Sequence, residues 1–285
     1  MIISIASGKG GTGKTTVAVN LALSLPQEMA QLIDCDVEEP NAHLFLSPSI
    51  RQVTSVGIPV PRVDESKCTY CGKCAHICEY HAIAVILKTV LVFDELCHGC
   101  GACTYLCPEK AIFEVKREVG IVQEGNANGI HFVNGVLNIG EPMASPLIRR
   151  VKEKTQKQKI VILDASPGTA CPVIETVKGS DFCLLVTEPT PFGLNDLELA
   201  VEMLEKLRIP KGVVVNKADV GDRDVWDYCR SKNIPVLMEI PLDRKIAESY
   251  SKGIPLVIEN PSYIMRFQEL FEKVRELCES SRRQQ

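Results

Sequence analysis

The stretch "SGKGGTGKTT", Ser7 to Thr16, decides the fold. It follows the short apolar run "MIISIA" and leads into "TTVAVNLALSL", whose small and apolar residues fall at helical spacing. Strand, glycine-rich turn, helix is the order of a phosphate-binding loop, and Gly8, Gly13, Lys14 and Thr15 fit G-x-x-x-x-G-K-[ST]. The amides of Gly10, Gly11, Thr12, Gly13, Lys14 and Thr15 can point into one concavity only if the chain turns tightly, which glycine permits. The positive end of the helix dipole adds to them, and Thr16 belongs to the same first turn. Lys14 is expected to reach the β- and γ-phosphates and the Thr15 hydroxyl to bind Mg²⁺. Lys9, directly after Gly8, is surplus to that task.

Outward from the loop, apolar runs recur as "QLID" before Asp34, "IVILDA" before Ser166, "FCLLVTE", "GVVVNK" and "VLMEIP". Near-continuous apolar runs suit strands covered on both faces. Helical patterns alternate with them; in "GLNDLELAVEMLEKL", Leu194, Leu197, Val201, Leu204 and Leu207 share one face. The expected fold is α/β, a doubly wound and mostly parallel sheet of the P-loop type, with ligands at the carboxyl ends of the strands. The last stretch puts Ile264, Phe267, Leu270, Phe271, Val274 and Leu277 on one stripe. That reads as a helix packed on the domain; a membrane-surface helix is opposed by Glu269, Glu272, Glu276 and Glu279.

The chain has 285 residues, 45% hydrophobic and 24% charged, with net charge −4. That size fits one large domain or a core plus a small module, and the acidic balance gives no global field for nucleic acid. The opening "MIISIAS" has no secretory n-region and no apolar run is long enough to span a bilayer, so a cytoplasmic protein without stable membrane insertion is expected.

Residues 64 to about 115 break the alternation with an internal repeat. Cys68, Cys71, Cys74, Cys78, Ala82 and Ile83 recur 29 positions later as Cys97, Cys100, Cys103, Cys107, Ala111 and Ile112. The expected organisation is therefore 1–63 and 116–285 for the P-loop domain and 64–115 for an inserted module, with 116–142 a hairpin around "NANG". Eight of the 13 cysteines lie in two C-x-x-C-x-x-C-x-x-x-C runs. On an intracellular chain such spacing favours metal thiolates over disulfides. Zinc competes for C-x-x-C pairs, but three cysteines at two-residue separations better suit the corner of an iron–sulfur cube. Cys35, Cys183, Cys229 and Cys278 read as packing residues, and Cys171 as a buried or partly buried thiol.

"KGGTGKTT" resembles the deviant phosphate loop of the ParA, MinD and nitrogenase iron-protein superfamily. The resemblance implies an ATPase in which Lys9 contacts nucleotide across an ATP-dependent dimer, homodimeric or paired with a paralogous chain. It further implies that Asp34 and Asp164 support Mg²⁺, that Asp36 positions or activates the attacking water, and that Gly168 swings toward the γ-phosphate. Asn216 is expected to read adenine, with Pro241 and Asp243 closing over the base. "NKAD" also matches the guanine motif through Asp219, which leaves GTP as an alternative to ATP and ADP.

The cysteine spacing resembles that of bacterial ferredoxins with two [4Fe–4S] clusters, where the fourth cysteine of each run serves the other cluster. By that resemblance Cys68, Cys71, Cys74 and Cys107 hold one cluster and Cys97, Cys100, Cys103 and Cys78 the other. Pro108 follows Cys107 as that pattern expects, but Glu79 follows Cys78. Cys171 has the separation from Asp164 of a cluster-ligating cysteine in the nitrogenase iron protein, without a clear second partner.

The whole chain resembles MinD-superfamily ATPases containing an inserted ferredoxin domain. This implies nucleotide-gated electron transfer to a redox partner. Cluster carriage to an accepting protein, or a positioning ATPase that docks through the module, are the alternatives.

Overall fold

The computed structural model describes residues 1–283. By contact density the chain divides into two units. One comprises Met1–Thr54, Val122–Val136 and Ile148 to the C-terminus; the other comprises Ser55–Ile121 and Leu137–Leu147.

The first unit is built on a sheet whose middle strand is β1 (Ile2–Ala6). It pairs in parallel with β8 (Ile160–Asp164) and β9 (Phe182–Thr187). Beyond β8 lie β2 (Ala30–Asp34) and β7 (Ile130–Leu137), both parallel; beyond β9 lie β10 (Lys211–Asn216) and β11 (Val236–Ile240), again parallel. The full order is β11-β10-β9-β1-β8-β2-β7-β6-β3. Here β3 (Ser49–Val63) and β6 (Ile112–Ala127) give this unit only their residues 49–54 and 122–127. The predicted doubly wound, mostly parallel sheet is present.

Both faces of the sheet are covered, which is why its strands read as apolar runs. Ile3, Ile5, Leu184 and Val186 pack on one face with Val17 and Leu21 of α1 (Lys14–Ser24) and with Phe267, Leu270, Phe271 and Val274 of α11 (Ser262–Arg283). The terminal stripe is thus a core helix; burying Phe267 alone is worth roughly 2–3 kcal/mol. Ala6, Cys183, Leu185 and Val215 face the other way. They meet α6 (Cys171–Val177), α7 (Pro191–Leu207) and α8 (Asp224–Ser231). Leu197, Val201 and Leu204 carry the α7 contact, as their spacing predicts. Cys35, Cys183, Cys229 and Cys278 are buried.

β6 and β7 are joined by Asn128 and Gly129, at φ 50° and 84°. Two left-handed residues make a tight hairpin turn, and the Asn126 side chain accepts from Gly129 N–H at 3.0 Å. β3 is an edge strand with residues 49–55 exposed, and it carries Pro59 and Pro61, which suit an edge.

In the second unit, β4 (Ile83–Ile86) and β5 (Thr89–Val92) form an antiparallel hairpin, and α3 (Lys73–Ile77) contacts α4 (Ala102–Leu106). The 29-residue repeat survives in the hydrogen bonds. Asp64 N–H donates to Ala111 O at 2.7 Å and Phe93 N–H to Ala82 O at 2.8 Å. Gly72 and Gly101 start the two helices with φ 78° and 73°. Each half thus closes on a residue of the other.

Candidate functional site

The loop after β1 delivers its backbone to one cavity. Gly11 and Gly13 are left-handed, at φ 79° and 97°. A Cβ on Gly13 would sit 2.6 Å from the Asn216 amide nitrogen, which itself donates to Thr12 O at 2.9 Å. A Cβ on Gly8 would lie 2.2 Å from the Asp196 carbonyl oxygen. Helix α1 starts without a side-chain cap, which leaves its first amides for a ligand.

An open cavity lies over them, lined by Gly10, Gly11, Gly13, Lys14, Thr15, Thr16, Asp36, Asn216, Pro241 and Asp243. Those were all expected there. Glu39, Asn41, Pro167, Lys217, Ile246 and Tyr250 also line it and were not. Glu39 and Asn41 follow Asp36 in the same loop and Lys217 is the lysine of "NKAD", whereas Ile246 and Tyr250 carry no motif; only their nearness to Asp243 in sequence pointed to them.

Lys14 is buried, and desolvation holds its pKa below the ordinary lysine range against the attraction of Asp164 and Asp36. Asp34 and Asp164 end adjacent strands in register, both buried. Burial pushes Asp34 up to about 7 even though its oxygens accept from the N–H groups of Asp36, Asn41 and Ala42 at 3.0, 3.1 and 3.0 Å. Asp34 therefore shapes the loop that carries Asp36, a function its spacing alone did not suggest. Burial, reinforced by Asp34, raises Asp164 well above the usual carboxylate range. Thr15 approaches Asp164, yet neither carboxylate oxygen accepts a full hydrogen bond. A buried, unpaired carboxylate beside a threonine hydroxyl is a donor set that fits a hard cation such as Mg²⁺. Asp36 is raised by burial and eased down by Ser166 and Lys14.

Lys9 and Thr12 do not line this cavity. Both border a smaller hollow against Thr187 and Asp196, and Lys9 Nζ lies 3.8 Å from Glu188 Oε2. Gly168 has φ 97° and its N–H donates to Ser7 O at 2.9 Å. Asp219 accepts from Leu242 N–H at 2.6 Å, so its carboxylate tethers the 241–243 loop.

A family model for the CobQ/CobB/MinD/ParA nucleotide binding domain matches residues 3–256. The chain belongs to that family. It is a nucleotide-binding ATPase of the MinD/ParA type. An uncharacterised protein of Methanocaldococcus jannaschii is 32% identical over 89% of this chain and 90% of its own length. An iron–sulfur cluster carrier protein of Rickettsia bellii is 25% identical, covering 90% of this chain and 65% of that longer one. Among solved structures, the septum site-determining protein MinD from Pyrococcus horikoshii, complexed with Mg-ADP, superposes with a TM-score of 0.60. It covers 97% of this chain and 96% of its own at 21% identity, a likeness of fold.

The nucleotide site of this MinD/ParA-type chain leaves the eight repeated cysteines unexplained. They border two hollows in the second unit. Cys68, Cys71, Cys74 and Cys107 line one; Cys78, Cys97, Cys100 and Cys103 line the other. Each hollow thus takes three thiols from one run and the last from the other run. Backbone N–H groups of Tyr70, Ala82, Gly99 and Ala111 point at the sulfurs of Cys68, Cys78, Cys97 and Cys107, at 3.4, 3.2, 3.5 and 3.3 Å. Such donors favour thiolate. No group of three or more His, Cys, Asp or Glu among the described residues is placed to hold a single ion. The thiols ring a space instead, and four thiols around a hollow form a donor set that fits a cluster. Cys171 is exposed, contrary to expectation. It opens α6, whose inward face is taken by Val173 and Val177, so its own side falls outward.

Proposed function

We propose that this chain is an ATPase whose nucleotide state controls a redox-active iron–sulfur module, acting as an ATP-dependent dimer with itself or a paralogous chain. The observation that carries the reading is the crossed lining of the two hollows, three cysteines from one run and the fourth from the other. Cys68, Cys71, Cys74 and Cys107 would hold one [4Fe–4S] cluster; Cys97, Cys100, Cys103 and Cys78 would hold the second. When bound, such clusters supply one-electron reduction and oxidation.

The chain's own residues divide the hydrolytic work. The loop amides and Lys14 bind the β- and γ-phosphates. Thr15 and Asp164 would hold Mg²⁺, with Asp34 fixing the loop beside them. Asp36 orients the attacking water, and Lys9, supplied by the second copy, meets charge developing on the γ-phosphoryl group. Asn216, Pro241 and Asp243 border the base; because Asp219 is committed to Leu242 N–H, adenine is favoured over guanine. Residues 64–115 form the inserted module, and its partner is a redox protein.

A second reading, carriage of an iron–sulfur cluster to an accepting protein, is favoured by the name of the Rickettsia relative. The test has two parts. Protein purified anaerobically should contain close to eight iron and eight sulfide per chain, the count for two four-iron cubes. Cluster potentials should then differ between ADP and a non-hydrolysable ATP analogue. Potentials indifferent to nucleotide, together with ATP-driven cluster loss to an apo-acceptor, would favour carriage.

A further inference from the structure

Glu188 stands one residue beyond β9, and two lysines meet at its carboxylate. Lys217 Nζ lies 2.6 Å from Oε1 and Lys9 Nζ 3.8 Å from Oε2. The Glu188 side chain is 12% exposed, against 33% for Lys9 and 42% for Lys217. The backbone carrying this carboxylate is held from several sides. Thr190 N–H donates to Glu188 O at 2.8 Å, and Thr187 Oγ1 donates to Gly193 O at 2.9 Å. A Cβ on Gly193 would sit 2.2 Å from Glu188 O, and one on Gly221 would sit 1.8 Å from Pro189 O. The backbone beneath this carboxylate is therefore fixed, and the carboxylate itself is mostly buried, while each lysine has a longer and more exposed stem.

The two lysines are not equivalent. Lys217 lines the nucleotide cavity; Lys9 does not. Lys217 also has a left-handed backbone, φ 52°, which is strained for a residue with a Cβ, and its N–H donates to the Asn216 side chain at 3.0 Å. A strained residue tied to the cavity wall competes with the loop lysine for one anion.

We propose that Glu188 is a positioning residue that parks Lys9 on its own chain, in competition with Lys217, and so sets how readily Lys9 is released to a nucleotide held by a second copy. This rests on the dimer reading above. A group that must leave an ion pair before it acts weakens apparent affinity by the fraction of chains in which it is free. For a partly exposed pair that factor is about two- to fivefold. Removing the carboxylate frees Lys9. Removing Lys217 leaves the carboxylate wholly to Lys9 and holds it more firmly.

The test uses full-length, cluster-loaded protein kept anaerobic. Its dimer dissociation constant is measured by sedimentation velocity with Mg²⁺ and AMPPNP saturating for each variant. Glu188→Gln is expected to tighten the dimer about two- to fivefold and Lys217→Gln to loosen it by a similar factor. Glu188→Asp, one methylene shorter, is expected to tighten it by less. Opposite signs are the decisive readout, because loss of residues that merely support the fold loosens the dimer in both cases. Shifts in the same direction, or no tightening in either Glu188 variant, overturn the proposal. Lys9→Ala tests the underlying reading separately: if it dimerises like wild type, the cross-dimer function of Lys9 is wrong. If Lys9→Ala blocks dimerisation and the Glu188 variants fail to tighten it, only the parking contact is wrong.

Discussion

Lys152, the last residue of α5 (Ser145–Lys152), offers a measurable handle on the segment that follows Gly168. Its ammonium donates to the carbonyl oxygens of Glu175, Thr176 and Lys178 at 2.5, 2.8 and 2.7 Å. Two of these belong to the last turn of α6 and the third follows it, so one cation caps a helix that has no further turn to satisfy them. Lys152→Met keeps most of the apolar stem and removes all three donors. A hydrogen bond from a charged group is worth about 1.5–3 kcal/mol, and the helix dipole adds a few tenths. Burial already depresses the Lys152 pKa, so part of that gain is offset by desolvation. The net expected loss is about 2–3 kcal/mol. For a chain of this size that lowers the melting midpoint by roughly 5–10 °C. Thermal unfolding followed by circular dichroism on the nucleotide-free protein measures it, with Lys152→Arg retaining part of the stability. A loss below about 0.5 kcal/mol would show that water replaces the ammonium without cost and would refute the capping argument.

Further outcomes follow from the site. Gly13→Ala, strained at φ 97° and clashing with Asn216, is expected to cut nucleotide affinity more than tenfold, read by titration with a fluorescent ATP analogue. Without Mg²⁺ and nucleotide, Asp34 is ionised in the unfolded chain but protonated in the folded one between about pH 4 and pH 7. Stability should therefore fall as pH rises through that window, by about 1.4 kcal/mol per pH unit from this group, with Asp164 adding in the same direction. Asp34→Asn should flatten the slope; denaturant melts at pH 5 and pH 8 decide, and a steeper slope in the variant counts against it. Cys107→Ser should alter the same paramagnetic signal as Cys68→Ser and spare the one altered by Cys78→Ser, since Cys107 shares its hollow with Cys68. Asp219→Ala should weaken ATP binding a few-fold by loosening the loop at Leu242, without conferring affinity for GTP.

Much of the fold was legible because local and global signals agree. The loop from Ser7 to Thr16 needs glycine where the backbone is left-handed, and the apolar runs mark strands covered twice. β3 escaped notice because an edge strand with exposed polar residues and prolines has neither alternation nor a continuous apolar run. Among site residues, most with a motif were found at the cavity, although Lys9 and Thr12 of the loop border the neighbouring hollow; Tyr250 and Glu188 depend on how β9, β10 and α9 (Arg244–Ser251) come together. Asp34 was legible as an acid at a strand end, but not as the acceptor of three backbone amides, since that depends on how residues 35–42 turn back. Cys171 was misplaced because a helix of seven residues shows too little periodicity to reveal its outer side.

The crossed hollows and the sheet order together impose a timetable on the nascent chain. The hollow begun by Cys68 gains its last thiol only with Cys107, 107 − 68 = 39 residues later, or about 2–8 s of translation. β1 has been made by then, yet its two neighbours start at Ile160 and Phe182, so the central strand is still unpaired when the eighth repeated cysteine leaves the ribosome.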